Sequence, residues 1–254
     1  MNKRLIGLFV AVAAVVVIVV VCCVMFVIDD VTVTAVSGMQ LSDEEASAIV
    51  ADSGIEKGSG IFSVDESAAI NAIEKNNPTI CVIAIERVFP NDVDIRVARR
   101  TGVAAIPIDG SDRYAVVDRD LKIVSIAYPD GVDSLAVVDN FRVAGDEATL
   151  LGSFLTESAA GWLGQVIEGA EMSYLVQTRF GKMFPSVRYR PEENRVILVT
   201  VKGCAVEIPL DGDIATMFNY AWNYYSDHVS GTERENGGRI VLDAQSGGWT
   251  YVAN

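Results

Sequence analysis

The hydrophobic pattern opens with an uninterrupted block. From Leu5 to Ile28 the chain carries no charge and a single glycine. Twenty-four residues at about 1.5 Å each would span roughly 36 Å, against a hydrocarbon core of about 30 Å. A cleavable secretory signal has a shorter apolar region and a small-x-small cleavage site. This block ends Met25-Phe26-Val27-Ile28, so it reads as an uncleaved transmembrane helix.

Beyond it the periodicities are those of a small folded domain. Val31 to Val36 alternates β-formers and stops at Ser37-Gly38, a strand and a turn. Ser42-Asp43-Glu44-Glu45 is a capping-box pattern, followed by Ala46, Ile49 and Val50 at helical spacing, which predicts a helix to about Ser53. Gly54, Gly58 and Gly60 mark a loop and Ile61-Phe62 an apolar plug. Ser63-Val-Asp-Glu66 then reads as a second capping box, for a helix that stops before Pro78. Thr79–Val88 is a nearly continuous apolar strand. After the turn Phe89-Pro90-Asn91-Asp92, Val93, Ile95 and Val97 alternate with Asp94, Arg96 and Ala98. The order is β-α-α-β-β, with two helices expected on one face of a three-stranded sheet.

The texture changes after Arg99. Tyr114–Val117 and Leu121–Ile126 flank a tight acidic turn, Asp118-Arg-Asp120, as in a hairpin. Leu150–Glu168 is expected to be helical despite Gly152, Gly161 and Gly164. Val187–Tyr189, Val196–Val201 and Ala205–Ile208 read as successive antiparallel strands. Ile214–Val229 reads as an aromatic-rich helix, and Arg239–Asp243 and Trp249–Ala253 as two last strands. The fold class expected is α+β, with a cytoplasmic tail at 1–4, a transmembrane helix at 5–28, a small domain at 29–98 and a mostly antiparallel β-domain with flanking helices at 99–254.

Charge fixes the orientation and removes several function classes. Lys3 and Arg4 precede the apolar block and Asp29 and Asp30 follow it, which leaves the N-terminus in the cytoplasm and the rest outside. Net charge is −14, a poor match for nucleic acid or an anionic lipid surface. Cys22 and Cys23 fall in the apolar block. Cys81 and Cys204 sit in apolar strands and read as buried thiols rather than a bridge. The single histidine, His228, closes an aromatic helix, and no nucleophile elbow, P-loop or zinc spacing accompanies it. Asp118-Arg-Asp120 and Asp211-Gly-Asp213 lack the spacing of a calcium loop and read as turn formers. The expectation is no enzyme, no cofactor and no metal.

Several segments together resemble the FtsQ/DivIB family of bacterial cell-division proteins. They are Val36-Ser37-Gly38, Asp52-Ser53-Gly54-Ile55, Gly58-Ser-Gly-Ile61-Phe62-Ser63-Val64-Asp65 and Asn77-Pro78. To these add the strand pair Ile83-Ala-Ile-Glu-Arg87-Val-Phe-Pro90-Asn-Asp-Val93-Asp-Ile95-Arg-Val97, then Tyr114-Ala-Val-Val-Asp118 and Ile240-Val-Leu-Asp243. Ala98-Arg99-Arg100 departs from the Glu-Arg that often follows the second signature strand. The resemblance implies one transmembrane helix, a POTRA domain and a β-domain in the cytoplasmic (inner) membrane at the division septum. It implies coiled-coil partners of the FtsB/DivIC and FtsL type and contact with septal peptidoglycan synthase components. An open sheet edge can accept an added strand, and the C-terminal strand is the natural edge. The family's role is thereby carried to Arg239, Val241, Trp249 and Tyr251, although Trp249 and Tyr251 suit core closure equally well. Arg87, Pro90 and Arg96 fall in the matching POTRA strand pair, where the arginines also suit a solvated strand face. The competing readings are a POTRA-bearing secretion or assembly component and an extracytoplasmic enzyme or sensor. The first lacks the regular amphipathic strands of a barrel, and the second lacks a visible set of convergent titratable groups.

Overall fold

The computed structural model describes residues 12–17, 25–173, 175, 177–243 and 245–254, with the side chains of 177–179 left out of the description. Residues 12–17 are helical, and the remainder of the expected span up to residue 24 lies outside the described residues. Among the described residues no helix is long and apolar enough to cross a membrane. The chain divides into two compact units, Met1–Arg99 and Arg100–Asn254.

The first unit is α+β. β1 (Asp30–Ala35), α1 (Asp43–Asp52), α2 (Glu66–Asn76), β2 (Ile80–Val88) and β3 (Asp92–Arg99) follow in that order. The sheet runs β1-β3-β2, with β1 parallel and β2 antiparallel to β3. Period-two alternation in β3 turns Val93, Ile95 and Val97 inward, where they meet Ile49, Ile61 and Ile73 from the helical side; all six are fully buried. The first helix starts as its sequence dictates: Ser42 Oγ accepts the Glu45 N–H at 3.2 Å, and Glu45 accepts the Ser42 N–H at 3.1 Å.

Two readings change here. The second helix is capped by Asp65, whose carboxylate accepts the Ala68 N–H at 3.0 Å. Ser63, the expected cap, is spent inside a 3-10 turn at Ile61–Ser63, where its hydroxyl donates to the Gly60 carbonyl at 2.6 Å. The end of the apolar block also belongs to this unit. Phe26 O accepts the Ile61 N–H at 2.9 Å, Ile28 N–H donates to Ser59 O at 2.8 Å, and Ile28 is only 1% exposed within the core.

The second unit is built on one mixed sheet of nine strands. They are β4 (Ala104–Pro107), β5 (Tyr114–Val117), β6 (Ile123–Ala127), β7 (Ala136–Asp139), β8 (Ser186–Arg190), β9 (Arg195–Val199), β10 (Ala205–Pro209), β11 (Arg239–Leu242) and β12 (Trp249–Val252). Their order across the sheet is β12-β11-β10-β9-β8-β7-β4-β5-β6. The β4–β7, β7–β8 and β10–β11 junctions are parallel and the other five antiparallel, so the expected antiparallel character holds for most junctions.

Between β7 and β8 come α3 (Glu147–Leu150), α4 (Glu157–Met172) and α5 (Gln177–Met183); between β10 and β11 come α6 (Ile214–His228) and α7 (Gly231–Glu235). The helix expected at Leu150–Glu168 is displaced to Glu157–Met172. Gly152 takes φ +81° and ends the preceding turn, and Phe154 bridges to Lys122 instead. α4 and α6 pack closely, and Gly169 permits it: a Cβ there would lie 2.6 Å from the Ala215 carbonyl oxygen.

Candidate partner-binding surfaces

The C-terminal hairpin is assembled from its turn outward. Asp243 closes it by donating its N–H to Gly248 O at 2.8 Å, while its carboxylate accepts the Ser246 hydroxyl at 2.6 Å and the Gln245 N–H at 3.0 Å. The Ser246 hydroxyl, more than the Gln245 and Ser246 amides, holds the Asp243 carboxyl below its usual range. β11 lies parallel to β10 and pairs antiparallel with β12 in the register Arg239↔Val252, Ile240↔Tyr251, Val241↔Thr250 and Leu242↔Trp249. β12 has no second neighbour among the described strands, so it is a sheet edge.

Strand alternation separates the four residues expected here onto two faces. Trp249 and Tyr251 share the face of fully buried Ile240 and pack against the core of the unit. The Tyr251 hydroxyl lies 2.7 Å from Gly237 O and 3.1 Å from Glu233 O, and burial pushes its phenol up. Gly238 makes room for it; a Cβ at that position would stand 2.7 Å from the same hydroxyl. These two aromatics therefore close the core while remaining half-exposed.

Arg239 and Val241 occupy the other face. With Arg195, Glu207 and Leu242 they line a groove of about 410 Å³. Glu207 is 9% exposed and anchors two cations there: Arg195 donates to it, and Arg239 Nη1 stands 3.7 Å away. The outer backbone margin of β12 is not wholly open. The Tyr251 N–H, directed away from β11, donates to the Tyr224 hydroxyl of α6 at 3.2 Å. Sequence patterning did not point to Tyr224, because nothing local marks an aromatic at that helix position as a strand cap.

In the first unit the signature pair does not converge on one spot. Arg87 pairs with Val93 in register and turns toward the helical side. Its Nε donates to Ile61 O at 3.1 Å, an Nη to Val64 O at 3.1 Å, and the other Nη to Glu66. It clamps the 3-10 turn to the start of α2. Arg96 turns to the opposite face and pairs with Glu86 at 2.9 Å, both half-exposed. Pro90 sits in the exposed β2–β3 turn after a cis peptide bond.

His228 ends α6 with its ring 5.2 Å from that of Tyr224. Cys81 and Cys204 are thiols in different units, and burial pushes the Cys204 thiol up. Among the described residues no three His, Cys, Asp or Glu side chains are grouped to hold a metal ion.

A comparison with curated proteins finds no match. Residues 35–100 match the family model described as POTRA domain, FtsQ-type, a stretch running from the end of β1 through β3. An FtsQ-type POTRA domain thus forms the folded part of the first unit, and this supports the chain as a member of the FtsQ/DivIB family.

Proposed function

We propose that the chain is a non-catalytic, single-pass scaffold of the bacterial cell-division complex. It is held in the cytoplasmic membrane by its N-terminal apolar segment, with both units outside. The FtsQ-type POTRA match carries this reading. The β12 margin and the groove beside it are the surface offered to coiled-coil partners of the FtsB/DivIC and FtsL type. Backbone pairing supplies affinity there, and the groove of Arg239 and Val241 supplies side-chain selection. The exposed Pro90 turn and the Arg96 face of the first unit are the surface offered to septal synthase components. Arg87, with its donors engaged internally, contributes by holding the turn at Ile61–Ser63 in place.

Depletion in the parent cell should give filamentous or enlarged cells, and the tagged protein should gather at midcell. Normal division on depletion removes the scaffold role. A photo-crosslinking residue at Thr250, on the groove face of β12, should trap the coiled-coil partners. The same residue at the exposed Tyr220 of α6 should not. Failure at Thr250 with a division phenotype intact removes the edge-strand proposal alone.

A further inference from the structure

The second unit holds a basic concavity that strand addition at β12 does not use. β4, β7 and β8 lie side by side and parallel, so Pro107, Asp139 and Arg190 end their strands at the same margin of the sheet. From the β4–β7 junction the chain departs in opposite directions, through β5 and β6 on one side and through β8 and β9 on the other. In open sheets such a divergence leaves a crevice beyond the carboxyl ends of the strands, a recurrent location for small-ligand sites. Here it has a volume of about 550 Å³.

Its chemistry runs against that of the whole chain. In a protein of net charge −14, four guanidinium groups (Arg113, Arg142, Arg188 and Arg190) face two carboxylates, Asp112 and Asp139. Two of the cations are already engaged. Arg113 pairs with Glu147 at 2.6 Å and lies 4.3 Å over the Tyr128 ring, and Arg188 Nε is 3.8 Å from Asp139. The other two have no carboxylate partner among the described residues. Arg142 makes a single contact of 3.4 Å to the Ile108 carbonyl. Arg190 Nε is buried and meets no acceptor among the described residues. Buried donors are almost always satisfied, so the unmet Nε–H leaves the Arg190 side chain, which lines the crevice, with donor capacity for an acceptor from outside the chain.

We infer that this crevice binds a small oxyanion carrying at least two negative charges, gripped by Arg142 and Arg190. A guanidinium offers paired N–H donors in one plane, which match the paired oxygens of a carboxylate or phosphate. Arg142 and Arg190 are the two cations left without a carboxylate partner among the described residues, and two such forks match an oxyanion with two acidic groups. The site is distinct from the strand-addition edge. β12 lies four strands beyond β8, about 19 Å at roughly 4.8 Å per strand.

The test is calorimetric titration of the full-length protein, in non-ionic detergent at low salt, with citrate and separately with inorganic phosphate. At least one should bind a single site with a submillimolar Kd. Arg190→Gln and Arg142→Gln should each weaken it about tenfold or more, while Arg239→Gln on the β11 groove leaves it unchanged. Binding of citrate alone assigns a carboxylate ligand, and binding of phosphate alone a phosphate-bearing one. Arg142 is exposed and lightly bonded, so its variant folds and decides the matter alone should Arg190→Gln not fold. The inference falls if neither anion binds with a Kd below about 1 mM, if Arg142→Gln binds as the parent does, or if only an oligoglutamate peptide binds.

Discussion

At the scale of single residues, the departure at Ala98-Arg99-Arg100 finds its meaning in packing. Arg99 pairs with Glu45 within the first unit. Arg100, the first residue of the second, is buried against Asp118, Nη1 to Oδ2 at 2.6 Å, with side chains 7% and 4% exposed. The other Asp118 oxygen accepts the N–H of Asp120 at 3.0 Å and of Lys122 at 2.9 Å. The acidic turn legible in the sequence is thus also the counter-charge of a buried cation, which no local pattern reveals because the partners are 18 residues apart. Stranding one member of a buried pair outright costs about 3–5 kcal/mol; Arg100 keeps a second partner in the half-exposed Asp120 at 2.9 Å, which brings the loss to about 1–3 kcal/mol. Asp118→Ala should lower stability by that order in denaturant melts of the full chain. Asp118→Asn should cost less, since it keeps an acceptor for the two amides. Equal, near-zero losses for both would mean that the pair contributes nothing.

Among the elements, those with a strong internal period were legible and those defined by neighbours were not. β3 and the helices of the first unit announce themselves through alternation and caps. β4 and β7 are four residues each, small and apolar except for the terminal Asp139, and they exist because pairing on both edges in the middle of a sheet covers them. Their absence from the pattern is also why the arginine crevice could not be read in advance: its side chains come from four separated segments. The helix at Glu157–Met172 shows the two meanings of glycine. At Gly169 a Cβ would meet backbone at 2.6 Å and Phe218 Cβ at 2.8 Å, whereas at Gly161 it would meet only the flexible Glu157 Cγ at 3.2 Å. Gly169→Ala should destabilise by about 1–3 kcal/mol through overpacking. Gly161→Ala should stabilise by up to about 1 kcal/mol through helix propensity. Opposite shifts in midpoint on chemical denaturation would check both; a stabilising Gly169→Ala would refute the close α4–α6 approach.

For the whole molecule, the decisive fact is where the apolar segment stops being available to a membrane. Ile28 is fixed in the core of the first unit and the Phe26 carbonyl is bonded to Ile61. On the proposed membrane anchorage, a span beginning at Leu5 would extend no further than Met25. If helical throughout, those roughly 21 residues would reach about 31 Å, close to the thickness of a hydrocarbon core. The proposed anchor would then leave no linker to lift the unit off the bilayer. The residues placed at that junction are aromatic. Phe26, Phe62 and Phe89 lie 5.3–6.0 Å from one another, and Phe62 and Phe89 are 67% and 57% exposed. Large exposed aromatics are poorly placed facing water and well placed at the headgroup level. A photoreactive phenylalanine at position 62 or 89 of the membrane-reconstituted chain should therefore form adducts with lipid. The same residue at Ile83, exposed but six residues back along β2 and so about 20 Å away, should not. Lipid labelling at Ile83 equal to that at Phe62 and Phe89, or none at either phenylalanine, would contradict a unit seated directly on the bilayer and with it the short, taut anchor.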